Sequence, residues 1–151
     1  MQALVSHAKR DWGWLSLCSA VIADLPPKDH LREAKRMFDF VKERVRFAKD
    51  PRGVETLQHP RLTLQRGAGD CDDISTLLAA LQETIGLKTR FITIKASPAN
   101  PSEYSHVFCS VDIPGSGSYT EDASIQDAEF GWEAPVNFGR QAWDSSQERD
   151  E

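Results

Sequence analysis

Apolar positions recur at three- and four-residue steps in three stretches of the first half of the chain, which is the spacing of one buried helix face. The first runs over residues 3–24, with Leu4, Trp14, Leu17, Cys18, Val21 and Ile22 broadly on one side; Pro26 and Pro27 end it. The second carries Leu31, Ala34, Met37, Phe38, Val41 and Val45, with Asp29 as N-cap. Its expected stop lies before Asp50-Pro51, because a residue preceding proline resists the α region. The third spans 71–85, with Ile74, Leu77, Leu78, Leu81 and Ile85 as its stripe and Gly86 closing it. Residues 50–70 between them, with Pro51, Gly53, Pro60, Gly67 and Gly69, read as a long connection of a length that often serves function.

The period then changes to two. The runs 90–96, 104–113 and 119–123 alternate as strands, the last two joined by the turn 114-PGSGS-118. Helices first and an antiparallel meander afterwards make an α+β pattern. One domain over 1–143 follows, with 144-DSSQERDE-151 as a charged, frayed tail and 130-FGWEAP-135 wrapping back over the sheet.

Composition narrows the partners. A net charge of −5 disfavours non-specific nucleic-acid binding, which needs a basic surface. No apolar run nears the roughly 20 residues of a membrane span. The apolar stretch after Lys9 and Arg10 is interrupted by Asp11 and Gly13, so it reads as a helix and not as a signal peptide. Three cysteines, Cys18, Cys71 and Cys109, are too few and too odd for a disulfide framework; a reducing, cytoplasmic setting is expected.

The chemistry concentrates in 67-GAGDCDD-73. Cys71 opens the third helix on the same side as Ile74 and Leu78, so it points toward the sheet. The positive end of the helix dipole favours a thiolate there, while Asp70, Asp72 and Asp73 oppose it. A thiol nucleophile needs a base. His7, His30 and His59 precede the site; His106 alone lies in a strand that can pack on the helix. Strand parity groups His106 with Phe108, Ser110 and Asp112, and sends Val107, Cys109, Val111 and Ile113 to the other face, so Cys109 reads as core. Asp122 in the next strand can fix the imidazole tautomer. A zinc site at Cys71, His106 and an aspartate is disfavoured, since no second Cys or His stands at ligand spacing around Cys71. Nothing in the sequence requires a metal or cofactor. Trp12, Trp14, Trp132 and Trp143 read as core or surface-anchoring residues.

Gly69-Asp70-Cys71-Asp72-Asp73, then Gly86 with Arg90, then His106-Val107, then Asp122, resembles the transglutaminase-like cysteine peptidases. Asp50, Gly53, Glu55, Leu57 and Pro60 upstream resemble their bacterial and phage-encoded branch, and the likeness covers about residues 30–125. Relatives often carry tryptophan before the aspartate and proline after it, where Tyr119 and Ala123 stand here. The resemblance implies a papain-like core with Cys71 as nucleophile, His106 as general base and Asp122 as orienting acid. The backbone N–H of Cys71 and the side chain of Gln58 or Gln65 are the oxyanion-hole candidates. The implied activity is thiol-dependent hydrolysis of peptide or other amide bonds through a thioester, on a protein or peptide substrate. The alternatives are acyl transfer or deamidation at protein glutamine side chains, or a non-catalytic phage-type assembly protein with a phage or host partner, virion-associated if phage-encoded.

Overall fold

The computed structural model describes residues 1–50, 56–135 and 138–146. In chain order the elements are α1 (Gln2–Ala8), α2 (Trp12–Val21), α3 (His30–Arg44), β1 (Arg46–Phe47), α4 (Pro60–Arg66), β2 (Ala68–Gly69), α5 (Cys71–Thr84), β3 (Lys88–Ile94), β4 (His106–Ile113), β5 (Gly117–Glu121) and β6 (Arg140–Asp144). The architecture is α+β, as the pattern predicts. Gly53 and Glu55 of the upstream motif lie outside the described residues.

Every residue of α5 from Asp73 to Glu83 is buried. A helix enclosed on all sides needs a layer on each. The sheet covers one side through Phe91, Val107 and Cys109, and Val5, Trp14, Met37 and Val41 of α1–α3 cover the others. Burial of this kind stabilises each large side chain by about 1.5–3 kcal/mol. Asp70 starts α5 with a reciprocal capping box: its Oδ1 accepts from Asp73 N at 3.0 Å, and its own N–H donates to Asp73 Oδ2 at 3.2 Å.

The sheet runs β5-β4-β3-β6, antiparallel throughout. Its second face carries Ile92, Ile94 and Phe108, with Ala96 and Ala134 packed on them. The segment 130–135 therefore does contribute cover to the sheet through Ala134.

Four features differ from the sequence reading. The single helix over 3–24 is two helices. Asp11 adopts an extended conformation (φ −87°, ψ 121°), and its side chain accepts from Trp14 N at 3.2 Å, which restarts the ladder and turns Trp14 into the core. The second predicted helix stops at Arg44, well before Asp50-Pro51, because Val45 goes extended and β1 pairs in parallel with β2. Within the supposed connection lies α4, opened by Pro60 at its first turn and closed by Gly67 at φ 65°. Finally, β6 pairs with β3 where no strand is expected, and Ser145 beyond it is buried and donates its N–H to Thr89 O at 3.1 Å. The expected tail from 144 thus begins inside the last strand.

No helix among the described residues is long and apolar enough to cross a membrane. All three cysteines are free thiols.

Candidate active site

The first turn of α5 is held from below. Asp73 is fully buried, and its carboxylate accepts from Gln58 N at 2.8 Å and Gln58 Nε2 at 3.0 Å besides the capping box. Gly69 is needed for this approach, since a Cβ there would stand 2.7 Å from the Asp73 Cβ. Asp72 is exposed on the outer side. Cys71 is half-buried at the very start of the helix, with its side chain packed against the core cluster that contains Val107 and Ala123. The dense acidic motif therefore divides its roles. Asp70 and Asp73 build the helix start, and Cys71 faces the sheet.

His106 is the first residue of β4. Parity puts it with Phe108, on the face turned away from α5, so period two alone does not bring its ring to Cys71. Its place at the strand's end does. The ring sits at the rim of the sheet where α5 begins, and the thiol of Cys71 is among the groups that act on the charge of the ring. Two bonds fix this register one turn further along. Ser75 Oγ donates to Val107 O at 3.2 Å, and Cys109 Sγ donates to Ser75 O at 3.3 Å.

The other side of the ring meets Asp122, with His106 Nε2 and Asp122 Oδ2 2.6 Å apart. This leaves Nδ1 for the thiol. Asp122 lies one residue past β5, not within it. Its side chain is 2% exposed, and its Oδ1 accepts from Ser124 N at 3.1 Å and Ser124 Oγ at 2.7 Å. Both carboxylate oxygens are thus committed. Ser124 is a residue that sequence reasoning misses; the D-x-S spacing after a strand is the signal that could have found it. Burial opposes a charge on His106, but the hydrogen bond it donates to Asp122, its interaction with Cys71 and the Coulombic pull of both outweigh it and hold its pKa up to about 10.

The remaining candidates lie elsewhere. The Gln58 amide group donates to Asp73 Oδ2 and to Ala68 O at 3.2 Å, and its Oε1 accepts from Arg66, so the side chain braces the helix start. Gln65 is exposed on α4 and lines a surface depression with Gly13 and Trp14. These placements give Gln58 a bracing role and set Gln65 on an outer surface, so neither is assigned to an oxyanion hole. Arg90 pairs with Asp112 at 2.8 Å across the sheet. Asp50, Asp70 and Asp73 each place an oxygen within 4.8 Å of the others, the one grouping among the described residues with the reach for a metal ion. Burial, with the charges of Asp73, Asp72 and Asp50 beside it, pushes Asp70 up to about 6 against the lowering effect of its capping bond.

A half-buried thiol at a helix start, and an imidazole that is oriented by a buried carboxylate at the adjoining rim of the sheet, lie in chain order Cys, His, Asp. Residues 19–123 match the family described as the transglutaminase-like superfamily. The chain belongs to the transglutaminase-like superfamily. No curated protein matches it. Among solved structures it is similar to a candidate protease of Parabacteroides distasonis (11% identity, TM-score 0.62, covering 82% of this chain and 26% of that one). It is also similar to a candidate cysteine protease of Cytophaga hutchinsonii (17%, 0.57, 85% and 42%) and to LapG of Legionella pneumophila (16%, 0.58, 85% and 75%). The chain thus spans less than half the length of the first two. At these identities the likeness is one of fold. It lends no support to the phage origin that the upstream motif suggests.

As a transglutaminase-like domain, the chain presents the superfamily's helix-on-sheet core with its cysteine at the helix start. The added strand β6 lies at the opposite edge of the sheet from β5 and Asp122.

Proposed function

We propose that this transglutaminase-like domain is a cysteine hydrolase of peptide or other amide bonds, with Cys71 as nucleophile, His106 as general base and acid, and Asp122 as the orienting group. The observation that carries this reading is the His106 ring bonded to the buried Asp122 carboxylate at 2.6 Å, with the Cys71 thiol among the groups that act on its charge.

In the proposed cycle, the proton of Cys71 Sγ resides on His106 Nδ1 before substrate binds, and the imidazolium is stabilised by Asp122. The thiolate attacks the substrate carbonyl carbon. The carbonyl π electrons move to oxygen, where the N–H of Cys71, unpartnered within the helix as a first-turn donor, can receive the charge. Collapse breaks the C–N bond, and His106 returns its proton to the leaving amine, which leaves a thioester on Cys71. His106, neutral once it has given up that proton, takes a proton from a water that attacks the thioester, and the acid product leaves as the thiolate departs beside the protonated ring.

Ser124 extends the set. By donating two hydrogen bonds to Asp122 Oδ1, it holds that carboxylate with Oδ2 on His106. The test is hydrolysis of fluorogenic peptide amides by wild type and by Cys71→Ala. Activity lost in the variant supports the reading; activity unchanged in it contradicts the role given to Cys71.

A further inference from the structure

A groove of about 610 Å³ lies between α3–β1 and the segment that follows Asp122. Its walls are tied to the candidate site by chain and by ladder. Ala123, next to Asp122, forms one wall together with Ile125. Phe47, which pairs in register with Gly69 two residues before Cys71, forms the other together with Arg46. Val45 also lines the groove and belongs to the same core cluster as Ala123, against which Cys71 packs.

The two cations at the groove have different roles. Lys42 Nζ donates to the carbonyls of Ile125 at 3.2 Å, Gln126 at 2.8 Å and Ala128, so it fastens the wall behind Asp122. Arg46 is exposed and forms no ion pair among the described residues. Phe47 and Ile125 expose 51% and 38% of their surface at the rim, apolar area that water wets in the free protein. The backbone points the same way. Arg46 N bonds Gly67 O at 3.0 Å and Ala48 N bonds Gly69 O at 2.8 Å, so β1 turns residues 46 and 48 toward β2. Phe47 between them, by strand alternation, turns its own N–H and C=O away from β2. A strand edge of this kind is a template for an added extended chain.

We propose that this groove is the substrate subsite, and that it takes an extended peptide segment paired to Phe47, with an acidic side chain on Arg46 and an apolar side chain between Phe47 and Ile125. The proposal rests on the hydrolase reading for its meaning, but its test does not depend on chemistry. Fluorescein-labelled hexapeptides that differ only in carrying Glu, Gln or Lys at one position beside a leucine are titrated into the Cys71→Ala protein by fluorescence polarisation. The Glu peptides should bind about tenfold tighter than the Lys peptides, and Arg46→Glu in the same background should reverse that order. N-methylation of the peptide amide that pairs with Phe47 should weaken binding by a similar factor, and Phe47→Ala should weaken binding of all three peptides. An unchanged thermal midpoint in Arg46→Glu shows that folding is intact. Binding that ignores peptide charge, an order unaltered by Arg46→Glu, or no binding to any peptide overturns the subsite. If wild type also fails to cleave amides while these peptides bind as expected, the hydrolase reading falls and the subsite stands.

Discussion

Cys71 and Cys109 stand on two sides of one small interface and share a neighbour. Ser75, one turn past Cys71 on α5, gives its carbonyl to the Cys109 thiol. Cys109 is fully buried, and burial, with the nearby carboxylates of Glu121 and Asp122, pushes its pKa well above the ordinary thiol value. Cys18 behaves similarly, pushed up to about 12 by burial. Cys71 sits at the helix start with a face open to solvent and an imidazole beside it. The same side chain is therefore inert or available according to what adjoins it: an apolar wall and a carbonyl in one case, a helix N-terminus and a base in the other. Their separation in sequence says little of this; their order along one helix–strand contact says most of it.

The largest effect should come from breaking that contrast at its centre. Cys71→Ala should cut amide hydrolysis by about 10⁴-fold or more, with little change in thermal midpoint, since the side chain is only half-buried. Cys109→Ala should do the opposite, leaving kcat within a few-fold while lowering stability by about 1 kcal/mol, the usual scale for a small buried truncation. Equal losses of activity in the two variants would erase the distinction.

Next in size is Asp122→Asn. The amide keeps a hydrogen-bond partner for the ring but removes the negative charge, so activity should fall by roughly 10²–10⁴-fold. The His106 pKa should fall with it. In the wild type this pKa is raised from 6.5 to about 10, so the stabilisation from the charged ring is complete below about pH 6.5 and fades as pH rises toward 10. ¹³C-labelled histidine NMR should show a His106 ring that stays protonated from pH 6 to 8 in wild type and titrates in that window in the variant.

A smaller effect is expected at Glu121, next to Asp122 but pointing to the opposite side. It is fully buried against α5, where its Oε2 accepts from Gln82 Nε2 at 2.8 Å, and its Oε1 and Gln82 Oε1 have no partner among the described residues. Burial raises its pKa well above the carboxylate range, outweighing the Gln82 bond. A raised acid binds protons more tightly in the folded state, so its contribution to stability declines as pH rises above the unfolded carboxyl's value. Glu121→Gln should remove that decline and add a donor for Gln82 Oε1. Chemical unfolding at pH 5 and pH 8 would show it as a flatter stability profile, with kcat nearly unaltered. The smallest shift belongs to Asp70→Asn, which keeps an N-cap acceptor and removes one of three crowded carboxylates. Its thermal midpoint at neutral pH should rise slightly.

Much of this is legible in the sequence because strong periodicity and strong chemistry coincide. The stripe of α5, the cap at Asp29 and the alternation of β3 and β4 follow from burial on one face, and the structure uses them that way. The missed elements lack that signal. All five residues of β6 are exposed on a sheet edge, so no period-two burial marks it. The seven-residue α4 is announced only by Pro60. The break at Asp11 looks in sequence like a polar position on a longer helix. At the candidate site, Cys71, His106 and Asp122 are readable from their motif spacing. The braces are not: Gln58 and Ser124 act through carboxylates that only tertiary contact brings to them.

The most direct measurement is the iodoacetamide alkylation rate of each cysteine in the native protein, resolved by peptide mass, for wild type and His106→Ala. At neutral pH Cys71 in wild type should react far faster than Cys18 and Cys109, which stay unmodified, and His106→Ala should slow Cys71 strongly. A Cys71 rate no greater than that of the two buried thiols, or one indifferent to His106, would contradict the account.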